Sequence, residues 1–309
     1  MMSIADMALK PPRRDRRSND IQDRGGIGDT RPRRGARRAI GPLRSRLFDL
    51  TWAFWTALFA PVTTVLWLAG APPRTVRKVS RIWAHGVLFQ LAWIVGLDYR
   101  ERGRVNVSDE PCLIICNHQS IWETLAALVL FPEVSIVAKR ELLRIPVLGW
   151  FLRRSPMIII DRSETATAVR KMMSAGAAAL ASGRSVLIFP EGTRKDPSEK
   201  IRFKRGVELL YKASVVPLLP VVVDSGHYWG VAGGWKRPGT FSVTHLPAIE
   251  AGLSLPEFAR RGEQLMQAEQ ASQSGRHKPV DIRDLGKAKH AAAGAKVQAM
   301  KKSVIVEYL

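Results

Sequence analysis

The feature that most limits what this chain can fold into is a series of five short apolar runs, at residues 112–117, 134–138, 156–160, 185–189 and 216–223, separated by stretches of helical character. Each is five to eight residues long and rich in Ile and Val, which is too short for a stable helix and suits a buried strand. Buried strands alternating with helices make an α/β domain whose sheet is largely parallel. The expected architecture is a single domain with a mixed, largely parallel sheet flanked by helices. Between the strands, residues 163–182 place Val169, Met172, Met173, Gly176 and Leu180 at helical spacing with Gly183 as a stop, so the methionines read as packing residues. Residues 254–272 also read as a helix, and residues 240–246 alternate like an edge or half-exposed strand in which His245 is structural.

Polar residues follow directly where these runs end, and the crevice at the carboxyl ends of strands is where open α/β sheets bind ligands. After the first run comes Asn117-His118-Gln119-Ser120-Ile121-Trp122-Glu123, an imidazole and a carboxylate with four residues between them. A carboxylate beside one ring nitrogen fixes the tautomer and stabilises the imidazolium, leaving the other nitrogen to take a proton from a hydroxyl. Ser120 and Glu123 also have the spacing of a capping box, in which the same carboxylate satisfies amides at a helix start. The second run ends at Lys139, followed by Arg140-Glu141-Leu142-Leu143-Arg144-Ile145-Pro146-Val147-Leu148-Gly149-Trp150. The fourth leads into Phe189-Pro190-Glu191-Gly192-Thr193-Arg194. There Arg194 offers a planar fork of donors suited to phosphate, and Gly192 permits close approach of backbone to a ligand. An ordinary turn with a solvated arginine has the same composition. Lys204 and Arg205 are weaker candidates for the same basic pocket, and Asp161-Arg162 reads as a structural ion pair or helix cap.

Together with Val216-Pro217-Leu218-Leu219-Pro220-Val221-Val222-Val223, these blocks resemble, in order, the four motifs of the glycerolipid acyltransferases, and most closely the 1-acylglycerol-3-phosphate acyltransferases. The likeness is close over residues 112–226 and looser from about 47 to 272. It implies that His118 is the general base and that Glu123 replaces the usual aspartate. It further implies that Lys139 and Arg194 hold the acceptor phosphate, with Glu191, Gly192 and Thr193 as neighbouring substrate-binding residues. The donor it implies is an acyl thioester, acyl-CoA or acyl carrier protein, with no further cofactor and no metal. Asp224 stands where the family often has Asn before Ser-Gly, which leaves its role open.

Charge and hydropathy add a membrane. Residues 1–46 hold thirteen Lys/Arg against five Asp and lack an apolar run, so they are expected to form a basic, disordered tail. Residues 50–73 then contain no charge at all, with Trp52, Trp55 and Trp67 along them, and Pro61 interrupts the run. A second uncharged run, residues 82–97, follows Arg74, Arg77, Lys78 and Arg81, with Trp83 and Trp93 near its ends. Two apolar helices with a basic connection and interfacial tryptophans fit a membrane-docking hairpin over residues 47–98, ahead of an acyltransferase domain over 99–272 and a basic arm over 273–309. Burial of both helices in the core is the competing reading. A hairpin that dips into one leaflet and carries a basic tail is expected at the cytoplasmic face of the inner membrane, monotopic, on anionic lipids.

The two cysteines, Cys112 and Cys116, lie on one face of a strand and read as buried thiols in a reducing compartment. The net charge of +21 also suits nucleic acid, but no recognition-module motif accompanies it. A hydrolase built on Ser120 lacks the Gly-x-Ser-x-Gly context of a nucleophile elbow. The expected reaction is acyl transfer to the free hydroxyl of a lysophosphatidate-like acceptor, with another lysophospholipid or a lyso-aminolipid as the alternative acceptor.

Overall fold

A computed structural model describes residues 34–161, 165–231 and 234–275. The basic tail up to residue 33, the C-terminal arm from 276 and Arg162 lie outside the described residues. In chain order the elements are α1 (Arg34–Leu68), α2 (Pro73–Gln90, closing in a π turn over Leu91–Val95), β1 (Leu97–Arg102), β2 (Leu113–Cys116), α3 (Trp122–Leu130), β3 (Val134–Lys139) and α4 (Leu148–Arg154). Then follow β4 (Ile158–Ile160), α5 (Thr165–Ala181), β5 (Ser185–Ile188), α6 (Arg205–Ala213), β6 (Leu218–Val223), β7 (Gly239–His245) and α7 (Leu255–Gly275).

The seven strands form one sheet in the order β1-β7-β6-β2-β5-β3-β4. β6, β2, β5, β3 and β4 are mutually parallel, β7 runs antiparallel to β6, and β1 runs parallel to β7. Alternation along β2 shows how two cores share one sheet. Cys112, Ile114 and Cys116 join the core packed by α1, α2, α3 and α4, whereas Leu113 and Ile115 join the one packed by α5, α6 and α7. Burial on both faces is the reason these strands carry no polar alternation. Both cysteines are free and buried, and burial lifts the Cys116 thiol well above its usual range.

All five expected strands are present, and two details differ. Residues 240–246 were expected to be an edge or half-exposed strand; β7 is not at an edge but lies between β1 and β6, and it is half-exposed only at Thr240 and Ser242, with Phe241, Val243 and His245 buried. The edge is taken by β1, whose sequence Leu-Asp-Tyr-Arg-Glu-Arg carries charges on its outer side, and charged side chains on an edge strand keep it from pairing with another chain. His245 is structural as expected, its Nε2 lying 3.0 Å from the Glu101 carboxylate.

The helical pair departs further from expectation. α1 is one continuous helix that begins at Arg34, inside the segment expected to be disordered, and passes through Pro42 and Pro61. Packing holds it there. Phe48 and Phe59 are buried, the Trp55 indole donates to the Trp83 carbonyl, and the Thr63 and Thr64 hydroxyls both donate to the Ala60 carbonyl. α2 begins nine residues before the expected run, with Pro73 at its first position, where the missing N–H costs nothing. Its Val76, Trp83, Ala84 and Val87 are core residues, so one face of α2 seals the domain. Gly86 allows the close approach of the two helices: a Cβ there would lie 2.5 Å from the Trp55 ring. α1 keeps an outward face of Leu50, Phe54, Leu58, Val65, Trp67 and Leu68, and α2 with its π turn adds Ile82, Phe89 and Trp93. Gly41–Leu68 is long and apolar enough to cross a membrane.

Candidate active site

The parallel registers bring the carboxyl ends of β2, β5, β3 and β6 to one edge of the sheet. His118 follows β2, and its main chain is locked to the turn that follows β5. The His118 amide donates to the Glu191 carboxylate at 2.7 Å, and the Lys195 amide donates to the His118 carbonyl at 2.7 Å. Asn117 ties the same strand end to β6, donating to the Val223 carbonyl and accepting from the Val223 amide. The His118 ring stacks on Phe189, with centroids 4.0 Å apart and planes 17° apart. Both the backbone and the ring plane of the imidazole are therefore fixed before any ligand arrives.

Glu123, in the first turn of α3, is almost fully buried. Its carboxylate accepts from the Gln119 and Ser120 amides, the Ser120 hydroxyl and the Ser225 hydroxyl. The Ser120 hydroxyl oxygen in turn accepts from the Trp122 amide. The Glu123 half of the capping box is thus formed, while the Ser120 hydroxyl meets the Trp122 amide instead of that of Glu123, and the carboxylate also lies 3.7 Å from His118 Nδ1. That separation is longer than a hydrogen bond and short enough for strong charge stabilisation of an imidazolium. Nδ1 is buried and has no hydrogen-bond partner among the described residues, so Nε2 is the nitrogen left for a substrate hydroxyl. Ser120, fully buried and engaged with Glu123 and Ser225, is not placed as a nucleophile.

His118 opens onto a cavity of about 1020 Å³ that also receives Lys139, Gly192, Thr193, Arg194 and Lys204. The far wall is apolar and comes from both helix layers: Trp52 of α1, Trp83 of α2, Leu125 and Leu128 of α3, Phe151 of α4 and Met172 of α5. Arg205 does not line it. Of the residues expected to bind substrate, Glu191 is the exception. It is buried behind the wall and holds the His118 backbone. Burial, with the nearby Glu123 charge adding to it, pushes its carboxyl up to about 8. The Gly192 amide donates to the Phe189 carbonyl at 3.0 Å and so is not itself a free donor to a ligand. Asp161 is paired with Arg140 at 2.8 Å, as a structural ion pair, and Asp224 is buried 3.4 Å from His227 Nε2, away from the cavity. Ser225, which no sequence signal marked as functional, reaches across from the end of β6 to the Glu123 carboxylate.

An acyltransferase family model matches residues 97–224, from β1 to just past β6. A 1-acyl-sn-glycerol-3-phosphate acyltransferase of Pseudomonas aeruginosa is 38% identical over 175 residues, which are 57% of this chain and 68% of the relative. The chain belongs to the 1-acyl-sn-glycerol-3-phosphate acyltransferase family. The human beta form of that enzyme is 31% identical over 178 residues, 57% of this chain and 64% of its own length. In fold, the chain is similar to the crystal structure of the 1-acyl-sn-glycerophosphate acyltransferase PlsC from Thermotoga maritima, with a TM-score of 0.64 at 20% identity over 77% of this chain and 99% of the other. The H-x-x-x-x-E spacing of His118 and Glu123 keeps a carboxylate within reach of the imidazole.

Proposed function

We propose that the protein transfers a fatty acyl chain from a thioester donor, acyl-CoA or acyl carrier protein, to the free hydroxyl of 1-acylglycerol-3-phosphate, making phosphatidate. The observation that carries this reading is the convergence, on one cavity, of a His118 imidazole backed by the Glu123 carboxylate at 3.7 Å and of the cations Lys139 and Arg194. His118 takes the proton of the acceptor hydroxyl as that oxygen attacks the thioester carbonyl. The new ester C–O bond forms, the C–S bond breaks, and the imidazolium returns the proton to the leaving thiolate. No acyl-enzyme forms, in keeping with the absence of a free serine or cysteine at the imidazole among the described residues. Lys139 and Arg194 hold the acceptor phosphate and contribute by positioning, while the apolar wall receives hydrocarbon.

The acceptor and the product are lipids, and the outward apolar face of α1 with Trp93 and Phe89 suits docking on a bilayer. We place that bilayer at the cytoplasmic face of the inner membrane, with the protein monotopic. The surplus of Lys/Arg in residues 1–46 favours anionic lipids, each basic residue near such a surface contributing about 1 kcal/mol. Incubation of the purified protein with lysophosphatidate and each donor in turn, with mass analysis of the lipid product, tests the reaction. Phosphatidate is expected, and acylation of a lyso-aminolipid in its absence would replace the acceptor.

A further inference from the structure

Basic residues around the cavity sort into two groups. Lys195 pairs with Glu199 at 2.5 Å, Arg140 with Asp161 at 2.8 Å and Arg202 with Glu263 at 2.9 Å. Lys139, Arg194 and Lys204 line the cavity itself and make no ion pair among the described residues. The two carboxylates that line it are already held from outside, Asp161 by Arg140 and Asp49 by Lys236 at 2.6 Å. The cavity is left with uncompensated positive charge from three side chains.

Lys204 is the one of the three whose position is least explained by local structure. It is the N-cap of α6 and makes no side-chain cap, a place where Ser, Thr, Asp or Asn is preferred and where a cation opposes the helix dipole. Its amide donates to the Pro190 carbonyl at 3.0 Å, which fixes its backbone to the turn that carries Arg194. Its side chain then lies across Gly192. A Cβ at that glycine, whose φ is +67°, would sit 3.2 Å from Lys204 Cδ and 3.3 Å from Nζ. Gly192 therefore serves two ends, the left-handed turn and the room that lets the Lys204 side chain lie across the turn that carries Arg194.

Resting on the acceptor proposed above, we propose that Lys204 is a third phosphate-binding residue, completing a three-cation cradle with Lys139 and Arg194 and setting the preference for acceptors that carry a phosphate monoester. Such a group presents three terminal oxygens and a charge of about −1.5 to −2 at neutral pH; two cations balance that charge, and a third gives the remaining oxygen a cationic donor of its own.

The test compares the parent, Lys204→Met and Lys204→Arg on 1-acylglycerol-3-phosphate and on the corresponding monoacylglycerol, with thermal unfolding as a control. Losing one charge-assisted contact should lower kcat/KM for the phosphorylated acceptor in Lys204→Met by about 10- to 100-fold. Donor KM and turnover of monoacylglycerol should stay as in the parent, and Lys204→Arg should recover to within a few-fold. Where monoacylglycerol turnover is below detection, the inhibition constant of glycerol 3-phosphate reads the same contact and should rise by the same factor. A loss shared equally by both acceptors, or a raised donor KM with acceptor KM unchanged, overturns the assignment. A parent inactive on 1-acylglycerol-3-phosphate with both donors overturns the proposed function instead, a result visible before any variant is made.

Discussion

Replacing Glu123 by Gln separates the two roles that the structure superimposes on one carboxylate. At 3.7 Å from Nδ1, a unit charge stabilises an imidazolium by about 4 kcal/mol at an effective dielectric near 20. If the imidazolium is formed in the transition state, its loss lowers kcat by roughly 10³-fold. The structural cost is smaller. The Gln carbonyl oxygen can accept the Gln119 and Ser120 amides and the Ser225 hydroxyl that meet Oε1 now, while its amide donates to the Ser120 hydroxyl now bonded to Oε2. Stability should fall by only about 1–2 kcal/mol. Glu123→Asp should retain part of the activity, because the charge remains with a shorter reach, and His118→Ala should be folded and inactive. Steady-state kinetics with saturating donor, alongside denaturant unfolding, read both effects. A Glu123→Gln protein with parental kcat would refute the reasoning and reduce Glu123 to a helix cap.

Arg194→Ala and Lys139→Ala should each lower kcat/KM for the acceptor by about 10- to 100-fold with donor KM unchanged; unaltered acceptor kinetics in both would remove the phosphate assignment. Glu191 has a folded-state pKa raised to about 8, so between roughly pH 4.5 and 8 the unfolded chain ionises this group first, the native state binds more protons, and stability falls as pH rises. Glu191→Gln keeps an acceptor for the His118 amide and should show a flatter stability profile over that window in urea titrations; parallel profiles would contradict the buried-carboxyl assignment. Phe54→Ser with Leu58→Ser, both exposed on α1, should weaken vesicle binding by about 100-fold or more, since burying each side chain stabilises by about 1.5–3 kcal/mol. Undiminished flotation with vesicles would move the membrane face elsewhere.

The α/β class and the position of the His118 imidazole were legible in the sequence, because buried strands write themselves as short Ile- and Val-rich runs and the polar groups of such a sheet must emerge where the runs stop. His118, Lys139 and Arg194 lie more than twenty residues apart in succession, yet each lies at or shortly beyond the end of a strand, and parallel pairing suffices to bring such ends together. What the residues one by one could not reveal is direction. Glu191 and Arg194 are three positions apart in one turn, and only the packing of that turn against β2 sends one inward to the His118 amide and the other into the cavity. β1 was hidden because an edge strand with charged side chains has no apolar signature, and its pairing with β7 depends on a partner some 140 residues away. Likewise, the uncharged runs of α1 and α2 measured hydrophobicity without saying what it meets. Side-chain burial at Trp83 and Val87, beside exposure at Phe54 and Trp93, is a property of two helices packed on a sheet, decided by nonlocal contacts that no single stretch of chain contains.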